Sequence, residues 1–217
     1  MLQALLNKQP ESEFSILCLG AHSDDIEIGC GGTLLRLSRE YQHLNVTWVV
    51  LGAKDLRAQE AHTSADAFLA GASEKNVIVK DFQDGYFPYV GAQIKDYFEQ
   101  LKRQVSPDLI FTHYRQDLHQ DHRCVSELTW NTFRNHLILE YEIPKYDGDL
   151  GHPNFFVQLD QPTCTRKIEH LLANFNSQTS RGWFTADLFY SILRIRGVES
   201  NAKQQYAEAF YCRKLLF

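Results

Sequence analysis

The first half of the chain alternates short apolar runs with segments of helical period. Each run is rich in β-branched residues and predicts a buried strand; the four runs are "FSILCLGA" (residues 14–21), "LNVTWVVLG" (44–52), "NVIVKDF" (76–82) and "DLIFTH" (108–113). The intervening segments repeat apolar residues every three to four positions and predict helices over residues 32–41, 56–69 and 92–105. This alternation predicts right-handed βαβ units, and hence an α/β fold with a three-layer, mainly parallel, Rossmann-like sheet.

The pattern changes in the second half of the chain. Two strand-like runs, "LILEYEIP" and "NFFVQLD", are joined by the turn-rich segment "KYDGDLGHPN", and helical patterns cover residues 124–134, 164–174, 186–195 and 202–210. We interpret residues 136–217 as an appended α+β C-terminal section on a core of residues 12–135. No linker rich in Pro, Gly or Ser separates the two parts, so the prediction is a single domain over residues 1–217.

Composition narrows the classes of function. With 217 residues, of which 44% are hydrophobic and 23% charged, the chain is typical of a globular protein. Its formal net charge of −5 and its lack of a dense Lys/Arg run argue against a nucleic-acid partner and favour a small molecule. The pattern predicts no particular oligomeric state.

The sequence favours a cytoplasmic location. No apolar stretch reaches the roughly 18–20 residues that span a bilayer, and the start "MLQALLNKQPESEF" lacks the pattern of a signal peptide. The five cysteines are odd in number and include no CxxC pair. We therefore expect reduced thiols, with neither a disulfide framework nor a cysteine zinc site.

Four polar residues, His22, Ser23, Asp24 and Asp25, follow the first predicted strand, at the edge where open parallel sheets bind ligands. One interpretation is a helix-capping loop whose following glycines allow close packing. A phosphate cradle formed by "GCGG" is disfavoured, because its spacing matches no phosphate-binding motif and adjacent carboxylates repel phosphate. A histidine beside two aspartates suits a divalent metal better, with the second carboxylate serving as a base.

A second polar cluster follows the fourth predicted strand, at the same edge of the sheet. The segment "THYRQDLHQDHR" contains His113, Asp117, His119, Asp121 and His122. If a helix begins here, His119 and His122 share one of its faces. One of them could bind a metal while the other contacts the reacting group, and Asp121 could orient an imidazole from behind. For His113 we favour a structural role at the end of its strand.

Together, "AHSDDIEIGCGGTL" and "DLHQDHR" resemble the motifs of the LmbE-like, PIG-L-type family of zinc-dependent N-acetylglucosaminyl deacetylases. The similarity extends to "LRAQEA", "DFQDGYF" and "RGVESNAKQQYAEAF". Members of this family remove acetyl groups from N-acetylated amino sugars. The resemblance therefore implies an amidohydrolase acting on such a sugar or its conjugate, with polysaccharide or glycoconjugate biosynthesis as the expected context.

The resemblance also implies a role for each residue that matches the two motifs. His22, Asp25 and His122 are expected to bind the metal. Asp24 is expected to act as general base, and His119 to stabilise the oxyanion, if protonated by facing the developing charge. The implied cofactor is Zn²⁺, although a site of two histidines and one aspartate also accepts Fe²⁺, Co²⁺ or Mn²⁺.

Three further positions carry weaker expectations. Ser23 stands where the family usually has proline, a change that loosens the loop but removes no ligand. Arg57 is expected to contact sugar hydroxyls or a phosphate, or alternatively to form a solvated helical pair with Glu60. Asp117 is expected either to hold the sugar or to cap its own loop.

Two other functions remain open. The first is a non-catalytic nucleotide-binding module that uses the glycine segment near the start of the first helix. The second is a metallohydrolase that cleaves another amide or an ester. Stoichiometric zinc and released acetate separate these alternatives from an N-deacetylase.

Overall fold

The computed structural model describes residues 8–216. The first seven residues, which belong to the start predicted to lack a signal peptide, and residue 217 lie outside the described residues, so the predicted domain over residues 1–217 extends beyond them at both ends. The elements in chain order are β1 (Glu13–Gly20), α1 (Asp25–Glu40), β2 (His43–Val50), α2 (Asp55–Phe68), β3 (Glu74–Val79), a 3₁₀ helix (Phe87–Val90), α3 (Gly91–Lys102), β4 (Leu109–His113), α4 (Gln120–Thr132), β5 (Leu137–Tyr141), β6 (Phe155–Leu159), α5 (Gln161–Asn174), a second 3₁₀ helix (Asn176–Gln178), α6 (Ala186–Glu199) and β7 (Tyr206–Cys212).

The strands form one seven-stranded sheet in the order β3-β2-β1-β4-β5-β7-β6. The first five strands of this order pair in parallel, whereas β7 pairs antiparallel with both β5 and β6. The prediction of an α/β fold with a mainly parallel sheet is therefore confirmed. The strands of the C-terminal section extend the same sheet. Among residues 8–216, no helix is both long and apolar enough to cross a membrane.

Two hydrophobic cores lie on opposite faces of the sheet, and the central strand β1 contributes to both. Successive side chains of a strand point to opposite faces. Accordingly, Phe14, Ile16 and Cys18 pack in the core beneath α1, α2, α5 and α6, whereas Leu17 and Leu19 pack in the core beneath α3 and α4. This double burial explains why the strand is apolar at nearly every position.

The prediction of a helix over residues 202–210 is wrong, because Tyr206–Cys212 is a strand. This strand lies between β5 and β6, so the two strand-like runs that flank the turn-rich segment are not neighbours. The segment has a helix-like spacing of apolar residues, but it forms a strand because it makes ladder hydrogen bonds to strands that are distant in sequence. The segment's local pattern carries no sign of those partners.

Helix α1 begins at Asp25, seven residues before the predicted start, and contains the glycine segment. The glycines allow close packing: a Cβ atom on Gly29 would lie 2.2 Å from the Tyr141 ring, and one on Gly32 would lie 2.5 Å from Leu159. The backbone N–H groups of Gly32 and Thr33 donate to the Glu208 carboxylate at 2.7 and 2.6 Å. An internal carboxylate therefore occupies the donors that a bound phosphate would need.

Candidate active site

The candidate site lies at the carboxyl edge of the sheet, where the strand order reverses between β1 and β4. Because α1 and α4 pack in different cores, the loops that follow these two strands diverge towards opposite faces of the sheet. Such a switch point opens a crevice in which α/β proteins bind ligands. The β1–α1 loop supplies His22, and Asp25 is the first residue of α1. The β4–α4 loop supplies Asp117, and His122 lies in the first turn of α4.

Local hydrogen bonds set the shape of the first loop. The backbone N–H of His22 donates to Asp25 Oδ2 at 2.6 Å, which brings these two side chains to one side of the turn. Asp24 is the N-cap residue of α1, and its carbonyl accepts from the N–H of Ile28 at 3.1 Å. The two adjacent aspartates are thus held in different orientations by the start of the helix.

The second loop ends in a histidine N-cap. The N–H of His119 donates to Asp117 Oδ1 at 2.8 Å, and its ring Nδ1 accepts from the N–H of Asp121 at 3.2 Å. This bond assigns the ring proton of neutral His119 to Nε2. The His119 ring lies 4.5 Å from the His122 ring and 4.9 Å from the His22 ring, measured between centroids.

The structure brings the three predicted metal ligands together. His22 Nδ1 lies 3.2 Å from His122 Nε2 and 3.4 Å from Asp25 Oδ2, and His122 Nε2 lies 3.5 Å from Asp25 Oδ1. Tetrahedral zinc with bonds of about 2.0–2.2 Å separates its ligand atoms by roughly 3.3–3.6 Å. All three residues are buried. The donor set therefore fits a divalent metal in chemistry, and the two imidazole nitrogens have the spacing of ligands on one ion. Asp25 approaches each of them through a different oxygen.

Each of the two imidazoles has a carboxylate behind it. Asp121 Oδ2 lies 3.2 Å from His22 Nε2, and Asp117 Oδ2 lies 3.0 Å from His122 Nδ1. When both rings are neutral and these outer nitrogens donate, the lone pairs of His22 Nδ1 and His122 Nε2 face each other. Two facing lone pairs repel unless positive charge lies between them. The same arrangement places Asp121 where an orienting role requires it.

Asp117 is only 2% exposed and lies behind His122, away from the crevice. Its two oxygens are taken by the His119 N–H and by His122 Nδ1. Of the two expectations for Asp117, contact with a sugar therefore has no support in this geometry, because the carboxylate is buried and contacts the His122 ring. Its place fits the ordering of its own loop instead.

The pKa shifts of the three predicted ligands also indicate a site that attracts positive charge. Burial alone lowers the pKa of His22, but the charge of Asp25 and a hydrogen bond to Asp121 raise it well above the usual value. Burial also opposes ionisation of Asp25, yet His122 and His113 hold its pKa well below the usual range. Burial, together with His113, lowers the pKa of His122 to about 3. An ionised Asp25 and a neutral His122 are the forms that bind metal, whereas the raised pKa of His22 favours its protonated ring, whose proton a bound metal would replace.

Asp24 lies beside the three residues without joining them. It is 4% exposed, and its Oδ1 lies 3.8 Å from Arg57 Nη2. Burial and the charge of Asp25 raise the pKa of Asp24 to about 6, against the lowering effect of Arg57. Arg57 also donates through Nε to Ser23 Oγ at 3.2 Å. The Ser23 hydroxyl thus accepts a hydrogen bond that a proline at this position could not accept.

Arg57 does not form the solvated pair with Glu60. The Glu60 carboxylate is 6% exposed and accepts from the N–H and hydroxyl of Ser177, at 2.8 and 2.5 Å. Arg57 instead turns towards the crevice, where its Nη1 lies 3.2 Å from Asp84 Oδ2. This alternative for the two residues is therefore wrong, and Arg57 remains at the site.

Sequence reasoning missed Asp84 as a site residue. Its Oδ1 lies 3.0 Å from His22 Nε2, and its side chain is 53% exposed. The signal was its place in "DFQDGYF", directly after the third strand and at the same edge of the sheet.

His113 is fully buried as expected, and its Nε2 accepts from the Ala21 N–H at 3.0 Å. It also stacks on His122, with 3.9 Å between ring centroids.

Comparison with known proteins shows relatives of this fold. The "Uncharacterized deacetylase YaiS" of Escherichia coli is 27% identical over 154 residues, which cover 66% of this chain and 82% of that protein. The N,N'-diacetylchitobiose deacetylase of Pyrococcus horikoshii is similar in structure, with a TM-score of 0.62, 19% identity, and coverage of 91% of this chain and 83% of its own. The 4-carboxy-2-hydroxymuconate hydratase GalB of Pseudomonas putida has a TM-score of 0.70 at 16% identity, with coverage of 94% and 98%.

A family model described as "PIG-L: GlcNAc-PI de-N-acetylase" matches residues 17–133. The matched segment is more than half of the chain. It includes both loops that meet at the crevice, and so it takes in every residue of the candidate metal centre. The chain therefore belongs to the PIG-L family.

Proposed function

We propose that this protein is a metal-dependent amidohydrolase that removes the acetyl group from an N-acetylated amino sugar or its conjugate. The convergence of His22 Nδ1, Asp25 and His122 Nε2 within 3.5 Å of one another carries the proposal. The deacetylases among its relatives support it, and the chitobiose deacetylase supports an amino sugar as the substrate class.

His22, Asp25 and His122 would hold the metal. A divalent ion at such a site acidifies water and polarises the carbonyl of the scissile amide. Zinc is the ion we propose, and the same donor set accepts Fe²⁺, Co²⁺ or Mn²⁺. The distances among His22, Asp25 and His122 described above support this assignment. The clusters of potential ligand atoms overlap at His122, which groups with His22 and His119 and also with Asp25 and His113.

Asp24 is the proposed general base. It takes a proton from the attacking water as the carbon–oxygen bond forms, and returns that proton to the nitrogen as the carbon–nitrogen bond breaks. The products are then acetate and the free amino sugar. Its place next to the ligand Asp25, buried and facing Arg57, gives it access to the reacting atoms without making it a ligand.

His119 is the proposed oxyanion stabiliser. The hydrogen bond from Asp121 to its Nδ1 favours a neutral ring that donates through Nε2, in place of the protonated ring expected from the sequence. The ring is half-buried, and one of its nitrogens lies within 4.8 Å of a ring nitrogen of His22 and of His122, which supports a donor near the proposed metal. A donor fixed in advance at this point stabilises negative charge on the carbonyl oxygen.

Arg57 and Asp84 are the proposed contacts for sugar hydroxyls. They form a pair at the crevice whose charged atoms are partly open to solvent. A guanidinium and a carboxylate together offer donors and acceptors to neighbouring hydroxyl groups. Asp117 has no part in this contact, since it is buried behind His122.

The nucleotide-binding alternative loses support in the structure. The N–H groups of Gly32 and Thr33 already donate to Glu208, which leaves them no capacity for a phosphate. A metallohydrolase of another bond shares the same metal centre, and GalB shows that this fold also hosts a hydratase. The reaction must therefore be tested directly on substrates.

A substrate panel tests the proposal. The zinc-loaded protein is incubated with N-acetylglucosamine, its nucleotide-linked and lipid-linked conjugates, and N,N'-diacetylchitobiose, and released acetate is measured. We expect acetate from at least one sugar, and acetate release lower by about 10²-fold or more from the Asp24→Asn protein. A parent that binds zinc and yet releases acetate from no member of the panel, while hydrolysing a simple ester or cyclic amide, would favour the other metallohydrolase.

A further inference from the structure

The segment between β5 and β6 contacts the loop that carries His122. Lys145 Nζ lies 3.0 Å from Asp117 Oδ2 and 2.5 Å from Asp149 Oδ2. Asp149 Oδ2 in turn accepts from the backbone N–H of Leu118 at 2.7 Å. The side chains of Lys145 and Asp149 are only 9% and 6% exposed, so this contact is shielded from solvent.

Asp117 Oδ2 is shared between His122 Nδ1, at 3.0 Å, and Lys145 Nζ, at 3.0 Å. The position of this oxygen sets the orientation of the His122 ring, because the ring donates to it. Lys145 is therefore separated from the metal-facing imidazole by a single carboxylate. A partner behind a ligand's carboxylate helps to fix that ligand's direction.

We propose that Lys145 is a positioning residue for His122, acting through Asp117, and that Asp149 holds Lys145 in place. The proposal rests on the proposed role of His122 as a metal ligand. It gives a function to the segment "KYDGD", which the sequence marks only as turn-rich. Through Asp149 and Leu118, the same segment is also tied to the backbone of the metal-binding loop.

Two physical effects of removing Lys145 have opposite signs. The loss of a positive charge leaves Asp149 uncompensated, and the additional negative field attracts a divalent cation more strongly. The loss of a hydrogen-bond partner frees Asp117 to move, and the His122 ring loses its fixed direction. Weaker metal binding is therefore the signature of positioning, and tighter binding is the signature of simple electrostatics.

Metal titration of the metal-free protein provides the test. Lys145→Met is compared with the parent, with the conservative variant Lys145→Arg, and with Lys95→Met as a control. Lys95 forms an i, i+4 pair with Glu99 outside the site and so matches the Lys145–Asp149 spacing. Affinity for Co²⁺ and the visible absorption of bound Co²⁺ are the two measurements.

We expect Lys145→Met to weaken Co²⁺ binding by about 10-fold or more and to change the absorption bands. Lys145→Arg should restore binding to within about 3-fold, since a guanidinium can contact both carboxylates. Lys95→Met should match the parent. Equal or tighter binding by Lys145→Met, or the same loss in Lys95→Met, overturns the inference.

A second variant keeps the test decisive. If circular dichroism shows that Lys145→Met is unfolded, Asp149→Asn takes its place, and unchanged Co²⁺ affinity in that variant overturns the inference. The two proposals also fail separately. A folded parent that binds no Co²⁺ overturns the metal centre itself, whereas a parent that binds Co²⁺ without releasing acetate leaves the role of Lys145 to be judged by affinity alone.

Discussion

Glu208→Gln should destabilise the protein strongly, although Glu208 contacts no residue of the metal centre. Its carboxylate accepts from Gly32 N–H, from Thr33 N–H and hydroxyl, and from Lys167 Nζ, at 2.6–2.7 Å. Lys167 and Glu208 are each about 2% exposed. The variant therefore leaves the Lys167 ammonium buried without a counter-charge. The NH₂ group of the new side chain also replaces one of the two acceptor oxygens, so a donor faces the Thr33 N–H or the Lys167 ammonium.

The expected loss follows from this burial. Breaking a buried ion pair by removing one partner costs about 3–5 kcal/mol in the free energy of unfolding. For a chain of this size, each 1 kcal/mol lowers Tm by about 2–4 °C, so the fall in Tm is on the order of 6–20 °C. Removing the ammonium as well, in the double variant with Lys167→Met, should recover part of the loss.

Urea and thermal unfolding followed by circular dichroism measure both effects. Glu40→Gln is the matched control, because Glu40 pairs with Arg36 on the surface, where the two side chains are 44% and 37% exposed. The control should change the free energy of unfolding by less than about 0.5 kcal/mol. A Glu208→Gln protein as stable as this control would refute the reasoning, and so would a double variant less stable than Glu208→Gln.

The other predictions test the proposed roles of individual residues at the candidate site. Asp24→Asn keeps the shape of the side chain but cannot accept a proton, so acetate release should fall by about 10²-fold or more while zinc content stays near that of the parent; full activity would eliminate Asp24 as base. His122→Ala and Asp25→Ala each remove a donor from the metal, so zinc measured after dialysis should be lost in both, and retention at parental affinity would show that the removed side chain is no ligand. His119→Ala should keep its zinc and lose roughly 10²–10³ in turnover, whereas loss of metal with activity would make His119 a ligand.

The elements that could be predicted are those in which apolar residues recur with a regular period along the local sequence. Because the inner residues of β1 pack alternately in two cores, Ile16 to Leu19 are all apolar, and that run is visible in the sequence. Strand β7 could not be predicted in the same way, because its neighbours β5 and β6 are distant in sequence. The glycine segment was misleading for a similar reason, since Tyr141 and Leu159, which require Gly29 and Gly32, come from other elements.

The candidate site, like the fold, could be predicted only in part. The place of the candidate site could be predicted because two motifs at strand ends share one edge of a parallel sheet, and the choice of His22, Asp25 and His122 as ligands came from the family resemblance. The partners behind them could not, since the contact of Lys145 with Asp117 depends on the path of a long loop. The same limit applies to Asp117, which lies behind an imidazole although its place in the motif suggested the crevice. Asp84 is reached only through the geometry of the β3–α3 connection.

The adjacency of β1 and β4 has a consequence for how the protein folds. The N–H of Ala21 donates to His113, 92 positions later in the chain, and this contact joins the two halves of the site. Pairing such distant strands requires a large loop to close before any contact is gained, and parallel pairings of this kind form slowly. A nascent or partly unfolded chain therefore holds His22 and His122 apart until β4 docks. A ligand that needs both histidines binds only the folded state, so raising its concentration raises the midpoint of unfolding.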